Sequence, residues 1–170
     1  KKGKIILLFQ PAEETGEGAY KVINDPKFEH IKPNFVFAYH NIPGAPLNQI
    51  ILKNNSFTAA VKSIIIKIHG KNAHAAEPEK GINPALAIAE IIQKFEALSN
   101  NKSESENFSL ITPIHINMGE IAYGTSAGYG ELRFTLRTWT QEKIDALSLT
   151  IPHILQEIST KHKVKIESKW

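Results

Sequence analysis

Two adjacent carboxylates, Glu13 and Glu14, lie in a loop that opens with Pro11 and closes with Gly16 and Gly18. Neighbouring loop carboxylates need not point the same way. One can bind a metal ion while the other takes a proton from metal-bound water. A histidine, His40, closes the second of two short apolar runs. Another, His74, stands in Gly70-Lys71-Asn72-Ala73-His74-Ala75-Ala76, where small neighbours leave the imidazole accessible. Such a ring can donate a hydrogen bond to a developing oxyanion. Arg137 ends an alternating stretch with Leu132, Phe134 and Leu136. Strand parity places Arg133 and Arg137 on the face away from those apolar residues. A guanidinium there can hold a substrate carboxylate through two parallel hydrogen bonds. Taken singly, each of these residues also fits a solvated side chain with no role.

The elements that must carry them can be read from periodicity. Ile5 to Phe9 and Phe35 to Tyr39 are continuous apolar runs, the pattern of strands buried on both faces. A short helix is expected between them, near Ala19 to Asn24. Strand, helix and strand imply a parallel βαβ unit. Ligands of parallel sheets gather at the carboxyl ends of the strands, where Glu13, Glu14 and His40 fall. Gln49 to Lys53 reads as a further strand. A chain seldom opens in a central strand, so the run at Ile5 predicts further sequence ahead of Lys1.

From about Thr58 the pattern changes. Ile64, Ile66 and Ile68 alternate with Ile65, Lys67 and His69, as in a strand with one buried face. Asn83-Pro84 is a helix start, and Ile88, Ile91, Ile92, Phe95 and Leu98 follow at helical spacing. Leu110 to Met118 and Leu132 to Leu136 alternate as strands. Thr140 can cap a helix from Ile144 to Ile158 that Pro152 should kink. Val164 and Ile166 mark a last strand. The order β-α-β-β-α-β predicts a ferredoxin-like domain, with four antiparallel strands and two helices on one face. The expected organisation is α/β: a partial parallel-sheet unit over residues 1–57, then a ferredoxin-like α+β unit over 58–168.

The 170 residues are 42% hydrophobic and 22% charged, as in an ordinary globular protein. The net charge of +3 comes from 20 basic and 17 acidic residues without a basic block, so nucleic acid is not an expected partner. No apolar run approaches the roughly 20 residues of a membrane span. The absence of cysteine excludes a disulfide framework in this segment and is compatible with a reducing, cytoplasmic setting.

Phe9-Gln10-Pro11-Ala12-Glu13-Glu14, Ala38-Tyr39-His40-Asn41 and the Gly70–Ala76 segment together resemble the aminoacylase/carboxypeptidase family of metal-dependent amidohydrolases, which includes hippurate hydrolases and indoleacetyl-amino-acid hydrolases. The resemblance runs through nearly the whole chain in order and spacing. It implies a two-metal catalytic domain interrupted by a ferredoxin-like lid that forms a homodimer. It also implies hydrolysis of the amide bond of N-acyl amino acids or small peptides. Glu13 then corresponds to the general base, and Glu14 and His40 to metal ligands. His74 corresponds to the lid histidine that reaches the partner's active site, and Arg137 to the lid arginine that holds the substrate carboxylate. Where the family usually has Asn-x-Ile-Pro, this chain reads Gly124-Thr125-Ser126-Ala127, so Gly124 stands at a substrate-contacting position. The resemblance implies two divalent ions (Zn, Mn or Co) in the complete enzyme. Their remaining ligands are expected before residue 1 and after residue 170, so no stable pair is expected in this segment alone. A non-catalytic dimerisation or binding module on the same scaffold is the alternative expectation.

Overall fold

The computed structural model describes residues 3–52 and 58–170, and the chain divides into two compact units, Lys1–Ile50 and Ile51–Trp170. The second unit is built on strands β1 (Ala60–His69), β3 (Ser109–Met118), β5 (Tyr129–Thr138) and β6 (Lys165–Lys169). They form one antiparallel sheet in the order β3-β5-β1-β6. Two helices, α2 (Ala85–Ala97) and α3 (Gln141–His162), pack against one face. This is the expected ferredoxin-like order. A two-stranded ribbon, β2 (Ala73–His74) with β4 (Thr125–Ser126), is added to it.

The alternation in the sequence becomes the two faces of the sheet. Ile64, Ile66 and Ile68 of β1 and Leu132, Phe134 and Leu136 of β5 are buried against Ile88, Ile91 and Phe95 of α2 and Ile144, Ile151 and Ile158 of α3. Phe95 and Phe134 meet ring to ring at 4.8 Å in a tilted arrangement that matches the quadrupoles of the two rings. Each such side chain contributes about 1.5–3 kcal/mol through the area it removes from water. The opposite face carries Lys67, His69, Glu131, Arg133 and Arg137.

Helix α2 begins where Asn83 Oδ1 accepts the Ala85 N–H at 2.9 Å, as the Asn-Pro pair predicts. Thr140 occupies the cap position of α3 without a side-chain cap bond. Its own carbonyl accepts the Thr138 hydroxyl at 2.7 Å. Helix α3 runs through Pro152 to His162 and stops at Lys163, which takes the left-handed conformation that closes many helices.

Strand β3 departs from regular alternation. Its register shifts between Pro113 and His115, where proline has no N–H for the ladder. Ile114 in the bulge and Ile116 and Met118 beyond it are exposed.

In the first unit α1 (Glu17–Ile23) forms two residues earlier than expected, and a 3-10 turn follows over Pro26–His30. The runs 5–9 and 35–39 are not strands. They make no ladder, and their side chains are exposed, Ile5 at 93% and Phe35 at 81%. A parallel strand is held by hydrogen bonds to flanking strands and by helices over both faces. Two short runs and one helix of seven residues supply neither. Residues 49–52 are likewise not strand, and Lys53 lies outside the described residues.

Candidate active site

Glu13 and Glu14 occupy a turn closed by the Gly16 N–H on the Glu13 carbonyl at 2.9 Å. Thr15 Oγ1 donates to the Ala12 carbonyl at 3.2 Å, so the loop is held from within while both carboxylates remain exposed. Gly18 is required here. A Cβ at that position would fall 1.6 Å from the Pro11 carbonyl oxygen.

His40 Nδ1 lies 2.7 Å from the Asn41 carbonyl oxygen. A carbonyl only accepts, so Nδ1 carries the proton and Nε2 of the neutral ring keeps its lone pair. That is the tautomer a metal ligand needs, with the second nitrogen oriented by a backbone carbonyl. His74 is set the other way. The Ala76 N–H donates to His74 Nδ1 at 3.1 Å, so Nδ1 is the acceptor and Nε2 carries the proton. That is the tautomer of a hydrogen-bond donor.

The strand carrying His74 is placed by backbone packing. The Gly70 N–H donates to the Gly128 carbonyl at 2.8 Å. A Cβ at Gly70 would fall 2.0 Å from the Ile82 carbonyl oxygen, so only glycine permits this approach. His74 then pairs with Thr125 across the β2–β4 ribbon, and the Ala75 N–H donates to the Gly124 carbonyl at 3.0 Å. Asn83 Nδ2 donates to Ser126 Oγ at 3.0 Å, which ties the ribbon to the start of α2. The structure thus brings His74 and Gly124 together. A side chain at Gly124 would meet nothing within 4 Å.

Arg137 lies elsewhere. It pairs with Val61 and Leu110, whereas the ribbon joins the sheet at the His69–Tyr129 end. Eight residues of β5 separate Tyr129 from Arg137, about 27 Å of strand. The two arginines of parity-equivalent position also differ. Arg133 is paired with Glu131 through Nη2 at 2.7 Å and Nε at 2.8 Å, and this holds the Glu131 carboxyl below the usual carboxylate range. The Arg137 guanidinium has no ion pair or side-chain hydrogen bond among the described residues. The Arg133 charge is satisfied internally, and that of Arg137 remains open to a ligand.

A family model described as a peptidase dimerisation domain matches residues 59–163. The chain belongs to the M20 peptidase family. It is 31% identical to an N-acetyl-L-cysteine deacetylase of Bacillus subtilis over 99% of its own length and 40% of that protein. It is 26% identical to the hippurate hydrolase of Campylobacter jejuni over 97% of its length and 43% of that protein. Among solved structures, a dinuclear metal-binding M20 peptidase of Bacillus subtilis aligns with a TM-score of 0.67 and 26% identity, over 95% of this chain and 39% of that one. The chain therefore spans about two fifths of the length of these relatives.

The donor chemistry of Glu14 and His40 suits a divalent ion, but a closed zinc-type site takes about four donors. Among the described residues no group of three or more His, Cys, Asp or Glu side chains is placed to hold a metal. The residues described do not amount to a complete metal site. No helix of the described residues is long and apolar enough to cross a membrane.

Proposed function

We propose that the full-length protein is a metal-dependent amidohydrolase that cleaves the amide bond of N-acyl amino acids, and that it works as a homodimer. The observation that carries the reading is the opposed tautomers of the two histidines. His40 presents a lone pair at Nε2, as a metal ligand does, and His74 presents an N–H, as an oxyanion donor does. In this reading Glu13 takes the proton of the attacking water and returns it to the leaving amine. Glu14 and His40 are two of the ligands of a pair of divalent ions, matching the dinuclear peptidase that the chain resembles. His74 Nε2–H steadies the tetrahedral oxyanion. Arg137, with no partner among the described residues, takes the substrate carboxylate in a bidentate contact.

The sheet geometry adds a constraint. The ribbon of His74 joins the sheet at the Tyr129 end of β5, and Arg137 lies about 27 Å along that strand, farther than one small substrate can reach. If both serve one substrate, they come from two copies of the chain. The test mixes two inactive full-length proteins, Glu13→Gln and His74→Ala, and follows N-acyl amino acid hydrolysis. A heterodimer then owns one site with an intact base and an intact histidine, so part of the activity should return. Heterodimers that form without any return of activity would show that His74 does not act across the interface.

A further inference from the structure

The segment Gly119–Gly124 leaves the end of β3 and reaches the strand of His74 at Gly124. It turns sharply at Gly119, whose φ of 61° is left-handed, and is fixed there by the Gly119 N–H on the Tyr129 carbonyl at 3.0 Å. A short turn follows, closed by the Thr125 N–H on the Ala122 carbonyl at 3.0 Å, and the Ala75 N–H then ties Gly124 to the residue after His74. The segment is therefore a firm part of the ribbon that carries His74. Its two large side chains, Ile121 and Tyr123, are 97% and 98% exposed. Single exposed apolar residues are common, but these two stand two residues apart on a held turn of the His74 ribbon, free to meet a group outside this unit.

We infer that Ile121 and Tyr123 form an apolar wall for the acyl group of the substrate, delivered to the partner's active site by the same ribbon that delivers His74. The inference rests on the proposed action of His74 across the interface. His74 must approach the carbonyl oxygen of the scissile amide, whose carbon carries the leaving amine on one side and the acyl substituent on the other. The amine side bears the carboxylate assigned to Arg137, at the far end of β5 from the ribbon, so the apolar groups tied to the His74 strand are left with the acyl substituent. An isoleucine and a tyrosine suit a flat hydrocarbon such as a benzoyl group better than a methyl. Gly124, next to Tyr123 and tied to the Ala75 N–H, has open space where a side chain would stand, which leaves room for such a group.

The experiment uses the full-length metal-loaded enzyme and compares N-benzoyl and N-acetyl derivatives of one amino acid. The double variant Ile121→Ser/Tyr123→Ser should lower the benzoyl-to-acetyl ratio of kcat/KM about tenfold or more, the scale of discrimination an apolar pocket provides. Tyr123→Phe should restore most of the ratio in the Ile121-intact background. An unchanged ratio overturns the inference. The origin of the wall is then read in the mixed dimer of Glu13→Gln and His74→Ala subunits, which has one working site. The serine pair should lower the ratio when placed on the Glu13→Gln subunit, which supplies His74, and not when placed on the His74→Ala subunit. A fall in the ratio from either subunit, or only from the His74→Ala subunit, overturns delivery across the interface. A mixture that is inactive even without the serines refutes the action of His74 in trans, and the ratio measured in the homodimeric double variant still decides whether these side chains face the acyl group.

Discussion

At the scale of single residues, neighbouring or equivalent side chains are given different tasks by what each one touches. Glu13 and Glu14 share a turn, yet the proposed roles require one to bind an ion and the other to move a proton. In the full-length protein Glu13→Gln should abolish turnover and leave metal content nearly intact, because an amide keeps the shape but accepts no proton. Glu14→Gln should lower metal content. Metal analysis beside an activity assay separates the two, and a fully active Glu13→Gln protein would refute the base assignment. The arginines offer a second contrast. Arg133 is neutralised by Glu131, whereas Arg137 makes no ion pair among the described residues. Arg137→Ala should raise KM for substrates with a free carboxylate by about ten- to a hundredfold, the worth of a charge-assisted hydrogen bond, with a smaller effect on the corresponding amides. Equal effects on acid and amide would exclude the carboxylate contact. This contrast was only half legible in the sequence. Parity places both arginines on one face, and Glu131, two residues before Arg133 on the same face, is the signal that marks Arg133 as already paired. The opposed tautomers of His40 and His74 had no such signal, because each depends on one backbone group one or two residues away.

At the scale of elements, what the sequence discloses is burial, and pairing follows only where enough neighbours exist. The alternation of Ile64, Ile66 and Ile68 and of Leu132, Phe134 and Leu136 located β1 and β5 because both strands are central and have one buried face. Ile5 to Phe9 and Phe35 to Tyr39 disclose the same demand for burial, but no ladder partner meets it among the described residues. The ribbon β2–β4 was not legible, since strands of two residues have no period, although the glycines at 70 and 128 hinted at a close backbone approach. The bulge in β3 could have been foreseen from Pro113 within an otherwise strand-like run. The two helices are joined by a contact that periodicity does not reveal. Glu90 of α2 meets both Lys161 Nζ at 2.8 Å and His162 Nε2 at 2.7 Å, near the end of α3. Hydrogen bonds from Lys161 first, and then from His162, hold the Glu90 carboxyl below the usual carboxylate range. A depressed carboxylate contributes stability that is fully present above its unfolded pKa, about 4.3, and is lost as pH falls through the folded value. The wild-type melting temperature should therefore fall more steeply than that of Glu90→Gln between about pH 5 and pH 3. Parallel curves for the two proteins would show that the helix-to-helix contact contributes nothing to stability.

At the scale of the whole molecule, the sheet has two edges of different character. Strand β6 carries Lys165 and Lys169 at its ends, charges that discourage a further strand from pairing. Strand β3 carries exposed Ile114 in its bulge and exposed Ile116 and Met118 beyond it, and the register sets Ile116 opposite Leu132 of the core. An edge of this kind is where a second copy of the chain would dock, consistent with the dimerisation-domain family that residues 59–163 match. Ile116→Lys tests the link between that edge and catalysis. The position is exposed in the single chain, so a lysine there should leave folding nearly unchanged, within about 0.5 kcal/mol. In a dimer buried through β3, the same ammonium would lose its water without an acidic partner, which is costly enough to separate the copies. Light scattering should then give a monomer at micromolar concentration with a normal melting temperature. If His74 acts only on the partner's substrate, the monomer has lost its oxyanion donor while keeping Glu13, Glu14 and His40. Its kcat should fall at least as far as that of His74→Ala, roughly 10²–10³-fold, with metal content intact. A fully active monomer would refute the shared site, and an intact dimer would move the interface away from β3.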